Sequence, residues 1–105
     1  MAYKIYQSND SIRDYYGILE YLTENLFAPG AAVRFHNELE SCYTRLKEHP
    51  FIYAVCRNED LAAKGFRLAT VMRYIVFYKV DEQDKIVRIH RILHGTMDYT
   101  QQQLD

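Results

Sequence analysis

The feature that most constrains the fold is the break Ala28-Pro29-Gly30, which separates two amphipathic segments before any strong β pattern begins. Proline suits the first turn of a helix because its fixed φ is already helical. After it, apolar residues recur at three-and-four spacing on one helical face: Ala32, Phe35, Leu39, Cys42 and Leu46. A connection this short makes consecutive helices fold back on each other. The sequence therefore predicts an antiparallel helical hairpin that ends at His49-Pro50.

The first of these helices follows a short strand at Tyr3 to Tyr6. Asn9, Asp10 or Ser11 can cap its N-terminus, because their side-chain oxygens accept from unpaired backbone N–H groups. Its predicted apolar face consists of Ile12, Tyr15 or Tyr16, Leu19, Leu22 and Leu26. We expect this face and that of the second helix to pack on a common neighbour.

That neighbour is predicted to be a sheet built from the C-terminal half of the chain. Three segments have the alternation and residue types of strands: Phe66–Val71, Tyr74–Val80 and Ile86–Leu93. A polar turn, 81–85, makes the last two antiparallel neighbours. Residues 51–64 give a mixed signal, ending in a loop at Gly65. The prediction is one α+β domain over residues 1–105, β-αα-βββ, with a helical hairpin on an antiparallel sheet.

Composition narrows the class of protein. The net charge of −1 argues against a domain held on nucleic acid by bulk electrostatics, although basic residues outnumber acidic ones between Arg57 and His94. No apolar run is long enough to cross a bilayer, and the first residues do not resemble a signal peptide. Cys42 and Cys56 form no metal-binding spacing, and Cys42 falls on the predicted core face. We expect a cytoplasmic protein with reduced cysteines, with a disulfide as the lesser alternative.

The residues that could carry chemistry lie in the β half. His90 and His94 are four apart, which on a strand separates them by about 13 Å, so no metal site is expected. No motif for a cofactor is present. Arg67, Arg73, Arg91 and His94, with Tyr74, are types that stabilise phosphate charge or move a proton. Spacing alone does not bring them together, and arginine stems lying over a solvated sheet are the alternative.

Five segments in order over nearly the whole chain carry a resemblance to a known family. They are Ile18–Asn25, Leu46–Pro50, Gly65–Arg67, Tyr74–Asp81 and Arg91–Asp98. Together they resemble the ParE/RelE superfamily, the toxins of type II toxin–antitoxin systems, also called the plasmid stabilisation family. The resemblance implies the RelE/ParE-like fold and a cognate antitoxin as partner.

The superfamily contains two kinds of toxin. ParE-type members poison DNA gyrase without catalysis, whereas RelE-type members cleave messenger RNA on the ribosome. RelE-type nucleases usually carry an arginine shortly after the central-strand tyrosine, but here Ile75 follows Tyr74. The ending from His94 to Asp98 also resembles ParE. The resemblance therefore favours a toxin that is not an enzyme.

On that interpretation the residues expected to contact gyrase or the antitoxin are Arg67, Arg73, Tyr74, Arg91, His94 and Asp98. The first alternative is a metal-independent ribonuclease in which His94 acts as acid or base and Arg67 and Arg73 hold phosphate. The second alternative is an inactive remnant that binds only its antitoxin.

Overall fold

A computed structural model describes residues 2–96. Its elements, in chain order, are β1 Lys4–Gln7, α1 Asn9–Glu20 continued by a π-helix at Tyr21–Asn25, α2 Pro29–Glu48, α3 Glu59–Ala63, β2 Arg67–Val71, β3 Tyr74–Asp81 and β4 Ile86–His94. The two long helices pack on a four-stranded sheet of order β1-β4-β3-β2. The predicted β-αα-βββ order is confirmed, with one short helix, α3, added in the segment that the sequence left unassigned.

The sheet is mixed, because β1 runs parallel to its neighbour and not antiparallel as predicted. The pairs β2–β3 and β3–β4 are antiparallel as expected, whereas β1 lies parallel to β4, with Lys4 opposite Ile86. The antiparallel prediction was therefore wrong for β1. Two parallel strands must be joined by a long crossover connection. Here the connection between β1 and β4 contains the helices, β2 and β3. Pairing each strand with its neighbour in sequence does not predict this arrangement.

Helix α2 packs as its sequence predicts. All five residues of the predicted stripe are buried, with Phe35, Cys42 and Leu46 fully inaccessible and Leu39 2% exposed. Pro29 occupies the first turn, and the helix ends before His49. The predicted hairpin also forms, since Tyr15 of α1 stacks on Phe35 of α2 at 6.3 Å between ring centroids.

Helix α1 buries only part of its predicted face. Ser8, rather than Asn9, Asp10 or Ser11, caps the helix, since its side chain accepts from the N–H of Ser11. The buried residues of α1 and its π-helix are Ser11, Ile18 and Leu22, whereas Ile12, Tyr16 and Leu26 are exposed. Leu22 is shared by the predicted and observed faces, and Tyr15 and Leu19 of the predicted face are partly buried against the core. The prediction is wrong for Ile12 and Leu26.

A β-bulge in β4 changes which side chains share a face. Phe77 pairs with Arg91 and Tyr78 with Ile89, which leaves His90 as the extra residue. Before the bulge, Ile89 points to the helices; after it, Ile92 does, although the two are an odd number of residues apart. Regular alternation along a strand would put His90 and His94 on one face. The bulge places His94 on the helix side instead, opposite Tyr74.

The second face of the sheet carries a smaller apolar cluster under the segment that contains α3. Its buried members are Cys56, Leu61, Phe66, Phe77 and Leu93. Gly65, with φ of 90°, makes the turn from α3 into β2, as the sequence suggested. Cys42 and Cys56 are free thiols on opposite faces of the sheet. Across residues 2–96, no helix is long and apolar enough to cross a membrane.

Candidate functional site

A cleft of about 560 Å³ opens between α1 and the adjoining ends of β3 and β4. The polar and aromatic side chains that line it come from α1 and its π-helix, from the start of β3 and from the end of β4: Arg13, Asp14, Tyr21, Tyr74, Arg91, His94 and Thr96. Three of the residues singled out from the sequence, Tyr74, Arg91 and His94, therefore converge.

Tyr74 and His94 form the inner wall of the cleft. They are directly opposite each other in β3 and β4, and their rings meet edge to face at 5.4 Å. Tyr74 is 6% exposed and rests against Phe35 of the core at 5.1 Å. Burial raises the pKa of the Tyr74 hydroxyl, and the nearby Tyr21 adds to this effect. Tyr74 thus remains a neutral hydrogen-bond donor at physiological pH.

The imidazole of His94 is oriented by Thr96. Its Nδ1 accepts from the backbone N–H of Thr96 at 3.2 Å and lies 2.7 Å from the Thr96 hydroxyl. A backbone N–H can only donate, so Nδ1 is the acceptor nitrogen, and the proton of the neutral ring is on Nε2. In this arrangement the Nδ1 lone pair of His94 is directed at Thr96.

Arg91 is held by Asp14 of α1 in a two-pronged ion pair. Nε lies 2.7 Å from Oδ2 and Nη2 lies 3.0 Å from Oδ1, and both side chains are more than four-fifths buried. The hydrogen bonds to Asp14 raise the pKa of Arg91 despite partial desolvation. Asp14 also accepts the N–H of Ile92 at 3.0 Å. The carboxylate therefore satisfies a backbone N–H of β4 beyond the end of β1. It also neutralises Arg91, which the sequence suggested as a phosphate ligand.

Two further residues of the cleft were not found from the sequence. Tyr21 opens the π-helix and is 45% exposed, and π-helical turns occur often at functional sites. Arg13 forms an exposed ion pair with Asp10 at 3.3 Å, and such pairs are weak. Helical periodicity gave Tyr21 no special role, and Arg13 lies off the predicted apolar face of α1.

Two of the predicted site residues lie elsewhere. Arg67 pairs with Tyr78, four residues along β3 from Tyr74, which is about 13 Å away along the strand. Its guanidinium donates to the carbonyl of Tyr53 and covers the ring of Phe51. Arg73 is exposed in the turn between β2 and β3, outside the cleft, although its carbonyl accepts from Gly95 at 2.8 Å.

Asp98, the remaining predicted residue, is outside the described residues. Within residues 2–96, no three His, Cys, Asp or Glu side chains are grouped as they would be to hold a metal ion. What the cleft offers is an imidazole ring, tyrosine hydroxyls and a weakly paired arginine. This set suits binding through aromatic contact and hydrogen bonds.

Solved structures with the same architecture are toxins of two related kinds. The fold is similar to the RelBE2 toxin–antitoxin complex of Mycobacterium tuberculosis (TM-score 0.64, 19% identity, 90% of this chain and 99% of that one). It is similar to the chromosomal ParDE system of P. aeruginosa (TM-score 0.69, 17% identity, 89% and 96%). It also resembles a mutant of E. coli RelE in the free state (TM-score 0.68, 13% identity, 99% and 95%). These likenesses define a RelE/ParE-like toxin fold.

The family follows from the sequence itself. Residues 5–99 match the family described as the ParE toxin of the type II toxin–antitoxin system parDE. The chain therefore belongs to the ParE toxin family. A search of curated proteins finds no sequence relative.

Proposed function

We propose that this toxin inhibits growth by binding its target, which is DNA gyrase, and that it catalyses no reaction. The observation that supports this most directly is the state of the cleft. Cleavage of RNA needs a group that takes a proton and cations that stabilise the phosphate. Thr96 occupies the acceptor nitrogen of His94, and Asp14 neutralises Arg91.

The exposed part of the cleft has the composition of a protein-binding surface. Aromatic residues and arginine are enriched at interfaces, where they combine a large apolar area with a polar end. Tyr21 is 45% exposed at the rim, and the side chain of Arg13 is 78% exposed beside it. We assign the main contacts with the target to these two residues and to His94 behind them.

A cognate antitoxin is the second partner that we propose. Three of the similar structures are complexes of a toxin with its antitoxin, from Mycobacterium tuberculosis, P. aeruginosa and Pyrococcus horikoshii. An antitoxin that covers the cleft would silence the toxin by excluding the target from Tyr21 and His94.

The proposal is tested by inducing the toxin in cells that lack the antitoxin. We expect growth arrest accompanied by a DNA damage response, with protein synthesis declining only later. Because the proposed toxin acts by binding and not by catalysis, His94→Ala should remove one contact with the target. It should therefore weaken the growth arrest without abolishing it. Normal growth on induction of soluble toxin would contradict the proposal and favour a remnant that binds only an antitoxin.

The second candidate is a ribosome-dependent ribonuclease. One observation favours it: Tyr74 of β3 meets Arg91 and His94 of β4 in one cleft. In this case a translated message would rearrange the contact between His94 and Thr96 and free the ring for proton transfer. Primer extension on translated messages would then show new 5′ ends that disappear in His94→Ala. Intact messages during growth arrest would exclude this candidate.

A further inference from the structure

Gly17 is an exposed glycine inside helix α1, and it lines the cleft. Glycine is a poor residue for a helix interior, because it loses more backbone freedom on folding than alanine does. A glycine at such a position usually has a conformational or a packing reason.

The fold itself provides neither reason for Gly17. Within residues 2–96, Gly65 is the glycine with positive φ, so the backbone conformation of Gly17 is open to any residue. Among the described residues, a methyl group added to Gly17 would meet nothing within 4 Å beyond its own helix backbone and chain neighbours. Its carbonyl accepts from the N–H of Tyr21 where the π-helix begins, but every residue has a carbonyl. The described chain therefore does not require a glycine here.

The missing side chain leaves a gap between two exposed side chains of the cleft. Arg13, Gly17 and Tyr21 are spaced four residues apart, so they follow one another along the same side of the helix. Arg13 and Tyr21 are thus about 12 Å apart along the helix axis. The rings of Tyr74 and His94 form the opposite wall. A group that enters the cleft between these side chains can reach the backbone of α1.

The surroundings of the gap favour an apolar group with a negative charge beside it. Ile18, next to Gly17, adds an apolar side chain to the lining. Asp14 and Arg91 neutralise each other, which leaves Arg13 as the remaining cation in the described lining. The pair of Arg13 with Asp10 is exposed and weak, so a carboxylate from a partner can replace Asp10.

We propose that the gap at Gly17 receives a large apolar side chain of the target protein, and that a carboxylate next to this side chain pairs with Arg13. The inference rests on the proposed function, in which the target is gyrase. A side chain seated in a pocket commonly contributes much of the binding energy of an interface. A nucleic acid fits the gap less well, because its phosphates would meet only one cation that is not neutralised.

The test compares two glycines that differ mainly in position. Gly30 lies in the first turn of α2, away from the cleft, and an added Cβ there also meets nothing within 4 Å among the described residues. Gly17→Gln and Gly30→Gln are compared with the wild type in thermal unfolding and in supercoiling by purified gyrase. Gly17→Gln should melt about 2 to 5 °C higher, because glutamine is the better helix former.

Inhibition should move in the opposite direction from stability. Gly17→Gln fills the gap, so half-inhibition of supercoiling should require about ten times more of this variant than of the wild type or more. Gly30→Gln should inhibit as the wild type does. A residue with a purely structural role would not combine a higher melting temperature with weaker inhibition.

Three results would overturn the proposal, and they are distinguishable. A lower melting temperature in Gly17→Gln would mean that another part of this chain fills the gap. Full inhibition by Gly17→Gln at the wild-type concentration would leave gyrase as the target but exclude the gap from the interface. Absence of inhibition by the wild type would refute the proposed function and this inference with it.

Arg13 variants test the carboxylate of the partner. Arg13→Lys keeps the positive charge and should inhibit supercoiling nearly as well as the wild type. Arg13→Gln removes the charge and should require about threefold more toxin or greater. Equal inhibition by the two variants would show that no carboxylate of the target pairs with Arg13.

Discussion

The two long helices are held on the sheet by different forces. Helix α2 contributes apolar side chains with almost no exposure, including Phe35 and Leu46. Helix α1 also places Ile18 in the core, but it is tied to β4 by polar contacts as well, in which Ser8 bonds the carbonyl of His90 and Asp14 bonds Arg91 and the N–H of Ile92. We infer that α2 supplies most of the stability, whereas α1 sets the geometry of the cleft.

Truncation of the α2 face should have the largest effect on stability. Leu39 is 2% exposed in the main core, so Leu39→Ala should lower the free energy of unfolding by about 2 to 5 kcal/mol. Val33 on the same helix is 62% exposed, and Val33→Ala should change it by no more than about 0.5 kcal/mol. Equal melting curves for the two variants would show that the assignment of the buried face is wrong.

Removal of the α1 anchor should have the next largest effect. Asp14→Ala leaves the largely buried Arg91 without its carboxylate and the N–H of Ile92 without its acceptor, which should cost about 2 to 3 kcal/mol. Asp10→Ala, which breaks only the exposed pair with Arg13, should cost about 0 to 1 kcal/mol in denaturant unfolding. If both variants unfold alike, the polar contact does not hold α1.

Two buried tyrosines of the main core offer a matched pair of smaller changes. The Tyr78 hydroxyl donates to the carbonyl of Pro50 at 3.2 Å, so Tyr78→Phe should lose about 1 kcal/mol. The Tyr43 hydroxyl has no partner among the described residues, so Tyr43→Phe should be neutral or stabilising. Thermal unfolding of the two variants measures the difference. A loss in Tyr43→Phe as large as in Tyr78→Phe would mean that the Tyr43 hydroxyl is hydrogen-bonded after all.

The same tyrosines predict a loss of stability in alkali, which is small near pH 10. Burial raises the pKa of both hydroxyls in the folded protein, above the ordinary value of about 10 that they have in the unfolded chain. Below that value these hydroxyls do not change the free energy of unfolding with pH. Above it the free energy of unfolding falls as pH rises, because the tyrosines then lose protons more readily in the unfolded chain than in the folded protein. The loss should begin at roughly a few tenths of a kcal/mol per tyrosine near pH 10. Denaturant midpoints between pH 8 and 11 should fall less steeply in the double variant Tyr43→Phe/Tyr78→Phe.

The sequence predicts the α2 side of the molecule well because that side is governed by apolar periodicity. Its stripe, the start at Pro29 and the extents of the strands follow from local patterns. The α1 side depends on contacts between residues far apart in sequence. The link from Asp14 to Arg91 spans 77 residues, and no local pattern indicates it.

Only part of the candidate site was predicted, because the site also depends on contacts between residues far apart in sequence. Tyr74 and His94 meet because a bulge at His90 shifts the register of β4, whereas regular alternation would place His94 on the other face. Tyr21 reaches the cleft through a π-helix that the 3.6-residue period does not describe. Arg67 was grouped with them by residue type, but cross-strand register sets it at the far end of β3.

We propose that the cleft between α1 and β4 is the surface that binds gyrase. The most direct measurement is DNA supercoiling by purified gyrase in the presence of the purified toxin or its variant Arg13→Ala. The Arg13 side chain is exposed in the wild type. We predict that the toxin inhibits supercoiling and traps cleaved DNA, and that Arg13→Ala requires a higher concentration to do so. Unchanged supercoiling with folded wild-type toxin in excess would contradict the account.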